Sequence, residues 1–141
     1  MLAEIVSADV AEAAEIGAAV APSENWRAIA AKHIDTVKLG KLLTVLTGEP
    51  LSRDVLAEFL QLHEQSEDGP WVLQLPDRLV SAIAGISDVE AGHVAGSWAR
   101  AEEFQLDCWT LETVTEFLAE LRALAQWATV NQKSLLLWMC L

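Results

Sequence analysis

One stretch limits the folds open to this chain more than any other, the run Leu135-Leu136-Leu137-Trp138-Met139-Cys140-Leu141 that follows Ser134. Surface helices and half-wet strands alternate apolar with polar residues, whereas an uninterrupted apolar run fits a central strand buried on both faces. The run has seven residues, too few to span a bilayer, which takes about 20 in a helix. Left bare it would invite aggregation, so something must cover it.

At 141 residues the chain has the usual size of one domain, and a single globular domain over 1–141 is expected. Such a chain buries about two thirds of its unfolded surface and needs no disulfide or metal as a staple. Hydrophobic residues make up 52% and charged ones 21%, a composition of folded rather than disordered proteins. Acidic residues outnumber basic ones by 21 to 9, giving a net charge of −12. Such a surface repels phosphate backbones, so nucleic acid is not an expected partner. A basic protein would instead be drawn to it, more strongly at low salt.

The charge is uneven. Between Asn25 and Gly48 the chain carries Arg27, Lys32, Lys38 and Lys41 against Asp35 alone. Pairing with carboxylates from elsewhere in the fold is the plainer use of this island, and reception of an anionic group the other. Cys108 and Cys140 lie apart, outside any CxxC or zinc spacing, and are expected as buried free thiols in a reducing compartment. No basic start followed by an apolar core suggests a signal peptide. The expected setting is the cytoplasm, with no membrane association.

Leu2 to Val6 suits a short strand or a helix start, and Ala8 to Ala21 favours helix, capped by Ser7 or Asp9. Pro22 and the residues after it break the chain. Asp35 caps a helix through Leu46, which Gly48 and Pro50 end. Ser52 opens a helix carrying Val55, Phe59 and Leu62 that lasts to about Ser66. Trp71 to Leu75 reads as a strand or extended segment, and Pro76 suits the first turn of the following helix. Ser87 and Glu90 have capping-box spacing for a helix running to about Leu106. Thr110 caps the clearest helix, with Leu111, Val114, Leu118, Leu121 and Ala125 as its apolar stripe. The expected architecture is α+β and predominantly helical. Five or six helices surround a minimal sheet of two or three short strands.

Chemistry-bearing motifs are sparse. His33, His63 and His93 are scattered, and Glu90 with His93 supplies only one copy of a spacing that carboxylate-bridged metal bundles use twice. No metal or cofactor is expected. Ser97 is not in a GxSxG elbow, and no Gly-rich phosphate loop occurs. Gly92 and Gly96, four apart in a helical pattern, suggest a close helix crossing. Six tryptophans without one tyrosine is the compositional oddity. Core packing should claim at least four of them. Trp26, beside Arg27 in a polar segment, is the candidate for an exposed binding residue.

Several short segments carry a family resemblance. Ile34-Asp35, Leu42-Leu43, Leu46-Thr47-Gly48 and Pro50-Leu51-Ser52 resemble the signature of the YfbM-like bacterial proteins. Leu75-Pro76, Val80, Ile83-Ala84, Ala128 and Ser134 to Trp138 are similar to that family's later segments. The resemblance covers most of the chain from residue 34 onward and implies an α+β fold with a small sheet. It brings no activity with it. The family usually places an aromatic within the segment matching Asp35–Leu43, where this chain has none, so any pocket there is altered or filled by Trp26.

Two functional readings follow. The first is a non-enzymatic, immunity- or inhibitor-like domain whose acidic surface binds a protein, with a basic one the natural partner. The second is a small hydrolase or transferase with an anion-holding pocket near residues 26–41. No catalytic residue is assigned; the candidate binding residues are Trp26, Arg27, Lys38 and Lys41. A structural subunit of a homo-oligomer is the plainest remaining possibility.

Overall fold

In the computed structural model, which describes residues 1–141, the apolar run is the middle strand of five. The elements in chain order are β1 (Leu2–Ala8), α1 (Ala13–Ala18), β2 (Arg27–Ala30), α2 (Thr36–Thr47), α3 (Arg53–Ala57), β3 (Leu60–Glu64), β4 (Trp71–Gln74), α4 (Asp77–Ala84), α5 (Asp88–Trp98), α6 (Glu102–Leu106), α7 (Leu111–Val130) and β5 (Ser134–Cys140). The sheet order is β2-β1-β5-β4-β3, antiparallel at every pairing. The expected minimal sheet of two or three strands is therefore wrong, as is the count of five or six helices; there are five strands and seven α-helices.

Successive β5 side chains serve opposite faces, as strand geometry requires. Leu135 and Leu137 join the main core, together with Ala3 and Ile5 of β1 and the apolar faces of α2, α4, α5 and α7. Leu136 and Trp138 join a smaller core on the other face, with Val6, Val72 and the α1 residues Ala13 and Ile16. This two-sided burial is why the segment has no polar interruption. β1 pairs with β5 along its whole length, from Leu2 opposite Cys140 to Ala8 opposite Ser134.

Several boundaries follow local chemistry. The Asp35 carboxylate accepts the Lys38 N–H at 2.9 Å and starts α2. Gly48, at φ 78°, takes the left-handed turn that ends it. Ser87 accepts the Glu90 N–H at 3.2 Å and donates its hydroxyl to the Glu90 carboxylate at 2.9 Å. Thr110 accepts the Thr113 N–H at 3.1 Å to open the 20-residue α7.

Three expectations fail for reasons of packing. The helix from Ser52 stops at Ala57, and its supposed second half is β3, where Leu60 and Leu62 alternate with Gln61 and His63. The helix from Ser87 stops at Trp98. Residues 98 and 104 in one continuous helix would point about 120° apart, yet both rings lie in the main core, 5.0 Å apart and edge to face. Breaking the helix at Ala99–Ala101 turns both inward. Finally, Gly92 and Gly96 mark no helix crossing, because a Cβ at either position would meet nothing within 4 Å.

Cys108 is exposed rather than buried, and Cys140 is half-buried. Only Trp98 and Trp138 are fully buried, at 1% and 3% exposure; the other four tryptophans are half-buried. No helix is long and apolar enough to cross a membrane.

Two tests of this packing follow. Leu137→Ala should destabilise the protein by about 3 kcal/mol in chemical denaturation, since its side chain is fully enclosed. Gly92→Ala and Gly96→Ala should each stabilise it by about 1 kcal/mol, because the methyl group enters open space on a helix.

Candidate functional site

The basic island does not form one site. Trp26 lies against the α1-side core and donates its indole N–H to Glu12 at 2.8 Å. That bond, with one from the Asp9 N–H, holds the Glu12 carboxyl below the usual range. Trp26 thus packs beneath α1, not in the α2 segment. Arg27 opens β2 with its guanidinium 4.7 Å from the Trp127 ring centre, a cation–π contact that closes the C-terminal end of α7 over the sheet.

Lys38 and Lys41, three apart on α2, face α6 together. Their counterparts Glu103 and Asp107 are four apart, so two cations on α2 meet one anion on α6 and one at its C-terminal cap. Lys41 Nζ donates to both Glu103 oxygens, at 2.8 and 2.6 Å. Lys38 is buried and donates to Asp107 and to the His33 carbonyl, with Nζ 5.7 Å from the Phe104 ring centre. Both carboxyls lie below their usual range, held there first by these hydrogen bonds from Lys41 and Lys38.

The backbone strains to make this pocket. His33, whose carbonyl serves Lys38, has φ 64°, and Cys108, directly after Asp107, has φ 58°. Left-handed conformations cost an L-residue about 1 kcal/mol each, so both Lys38 partners are held by their surroundings. The enclosure is aromatic. Trp98, Phe104, Trp109 and Phe117 form a chain of ring contacts with centroids 5.0 to 6.1 Å apart. Trp98 also donates its indole N–H to the Lys38 carbonyl at 2.8 Å.

Beside this lock a cleft of about 330 Å³ lies between α2 and the end of α5. Lys41, Thr44, Ser97 and Arg100 supply its polar lining, and Val45, Leu51 and Trp98 its apolar wall. Of the four candidate binding residues only Lys41 reaches it, and Glu103 already compensates that charge. Arg100 forms no ion pair. Sequence reading passed over it because it falls outside the island, in what looked like the middle of a long helix. No hydrogen bond joins Ser97 to a histidine or carboxylate, and no cluster of three His, Cys, Asp or Glu is placed to hold a metal.

The class these features define is an α+β protein with a five-stranded antiparallel sheet, six helices contributing to the core on one face and a short one on the other. Compared with protein-family profiles, with curated proteins and with solved structures, the chain finds no match.

Lys38 and Asp107 should respond unequally to mutation. Asp107→Ala leaves an ammonium with 2% side-chain exposure without its counter-ion and should cost about 3 kcal/mol. Lys38→Met should cost much less, because the Asp107 carboxylate, 32% exposed, can be solvated by water. Acid should act through the same groups. In the unfolded chain Glu103 and Asp107 protonate at their ordinary values, near 4.5 and 3.8, and in the folded protein only at lower pH. Their stabilisation is therefore complete above about pH 5 and drains away as pH falls through and below those values. Thermal melts across that range should show a smaller acid loss in a Lys38→Met, Lys41→Met double variant.

Proposed function

We propose that this protein is a non-enzymatic binding domain, immunity- or inhibitor-like in manner, whose acidic surface engages a basic partner protein. The observation that carries this reading is how the fold distributes its charge. Five of the nine cations, Lys38, Lys41, Arg78, Arg122 and Lys133, are committed to carboxylates inside the molecule. Only six of the 21 acidic residues take part in those pairs. Among the rest, Glu112, Glu116 and Glu120 form an exposed row on α7, each four residues from the next and none in an ion pair, with Arg27 lining the cleft beside Glu120. Like charges at that spacing weaken a helix by about 0.2–0.5 kcal/mol per pair. Only Glu112, in the first turn of α7, is favoured by the helix dipole, so the row as a whole adds little to the fold, while its field would speed the approach of a cationic surface.

A second reading rests on Arg100. An unpaired guanidinium beside an apolar wall suits a small anion with a hydrophobic body, and the cleft's volume is at the lower end for ligand pockets. A hydrolase or transferase using this cleft would then hold its substrate through Arg100. Calorimetry with small apolar carboxylates, on the wild type and Arg100→Gln, tests it; binding equal in both would remove it.

For the main reading, capture from native lysate at low and high salt should retain a basic protein at low salt only. The triple variant Glu112→Gln, Glu116→Gln, Glu120→Gln should associate with that protein several-fold more slowly while its melting changes little, because the two relieved repulsions offset the loss of Glu112 at the α7 N-terminus. Retention indifferent to salt and to the triple variant, or no retention at all, would dispose of the reading.

A further inference from the structure

We propose that β3, with the cavity at its start, docks an extended basic segment of the partner, which adds to the sheet as a sixth strand. This rests on the basic-partner reading above and gives it a place. β3 is an edge strand, so one row of its backbone N–H and C=O groups faces away from β4. No backbone group of Leu60–Glu64 bonds any loop, helix or side chain of the chain. An edge left open in this way is a template for another strand.

The side chains around the edge select which strand. Leu60 is 56% exposed, a large apolar side chain where a solvated edge would favour a polar one. It lines a cavity of about 490 Å³ together with Glu58, Gln74, Asp77 and Arg78. Arg78 is already paired with two carboxylates, donating to both Glu58 oxygens at 2.7 and 2.5 Å and to Glu49 at 2.6 Å. Asp77 forms no ion pair, which leaves the cavity a free carboxylate for an incoming lysine or arginine. At the far end of β3 the turn carries Glu64, Glu67 and Asp68, all exposed. An arriving strand thus meets an apolar contact and a carboxylate at the start of β3 and further carboxylates at its far end.

Other occupants fit less well. The opposite edge, β2, is flanked by Arg27 and Lys32, which repel a basic segment. Two copies joined β3 to β3, antiparallel, would set the acidic turn of each against the Asp77 end of the other. A copy offering β2 would bring two cations, one already held over Trp127, on a body that itself carries −12. The irregularity between Gln61 and His63 twists the strand and discourages long flat pairing, so the docked segment must be short and its attraction largely electrostatic.

The test uses the whole protein and a peptide of about eight residues alternating lysine with valine. Two further versions carry N-methyl groups on one or the other set of alternate backbone amides, with charge and side chains unchanged. At low salt the unmodified peptide should bind and slow amide exchange within Leu60–Glu64. One of the two methylated peptides should bind at least about tenfold more weakly, having lost several main-chain bonds. Asp77→Asn should weaken the unmodified peptide several-fold. All three peptides binding equally, slowed exchange on α7 instead, no binding of any peptide, or sedimentation showing self-association through β3 would each overturn the docking site. None of these touches the basic-partner reading, which stands or falls on the salt-dependent capture.

Discussion

The pairing of β1 with β5 is the constraint on which the rest of the structure depends. It joins residues 2–8 to residues 134–140, so nearly the whole chain is the loop that this ladder closes. Closing a loop of that size costs chain entropy that no local contact repays. The return comes from burial on two faces at once, because alternate residues of both strands feed separate cores. Everything between the two strands is then obliged to supply cover. Six helices do so on one side. On the other, α1 is short and works closely, with Gly17 so near the His63 ring that a Cβ there would stand 2.3 Å from it.

A second constraint is internal to the helical layer. Lys38 could not be buried alone, since an isolated ammonium in an apolar setting costs far more than one hydrogen bond returns. Asp107 and the His33 carbonyl meet that need, and the aromatic chain from Trp98 to Phe117 closes around them. Burying this pair fixes where α6 lies against α2, and Lys41 with Glu103 repeats the match nearer the surface. The acidic exterior has a different cause: 21 acidic residues meet only nine cations in the sequence, so most surface carboxylates stay uncompensated however the pairs form.

Much of this was legible from residues alone. Capping by Asp35, Ser87 and Thr110, the stop at Gly48, the α7 stripe from Val114 to Ala125 and the central placement of β5 all follow from short-range chemistry, and the structure has each of them; Leu111, expected in that stripe, is exposed. The two edge strands were not legible. Arg27–Ala30 is half alanine and only four residues long, too weak a strand signal by itself, and it is held as β2 by β1 beside it. Leu60–Glu64 alternates as a strand should, but Val55, Phe59 and Leu62 also fit a helix, and only β4 decides between the periods. The break after Trp98 has no glycine or proline to announce it; the core's demand for both Trp98 and Phe104 makes it. For the candidate site, the island was visible as composition, but its partners Glu103, Asp107 and Trp127 lie 62 to 100 residues further along the chain.

By itself, then, the sequence determined where most helices begin, which strand had to be central, and that the molecule is strongly acidic. Those properties depend on neighbours a few residues apart or on composition. The tertiary structure alone decided the number of strands, the fate of each cation, and which sheet edge stays open. These depend on which distant segments share the burial, and a pairing between residues far apart in the chain leaves no local trace in either partner.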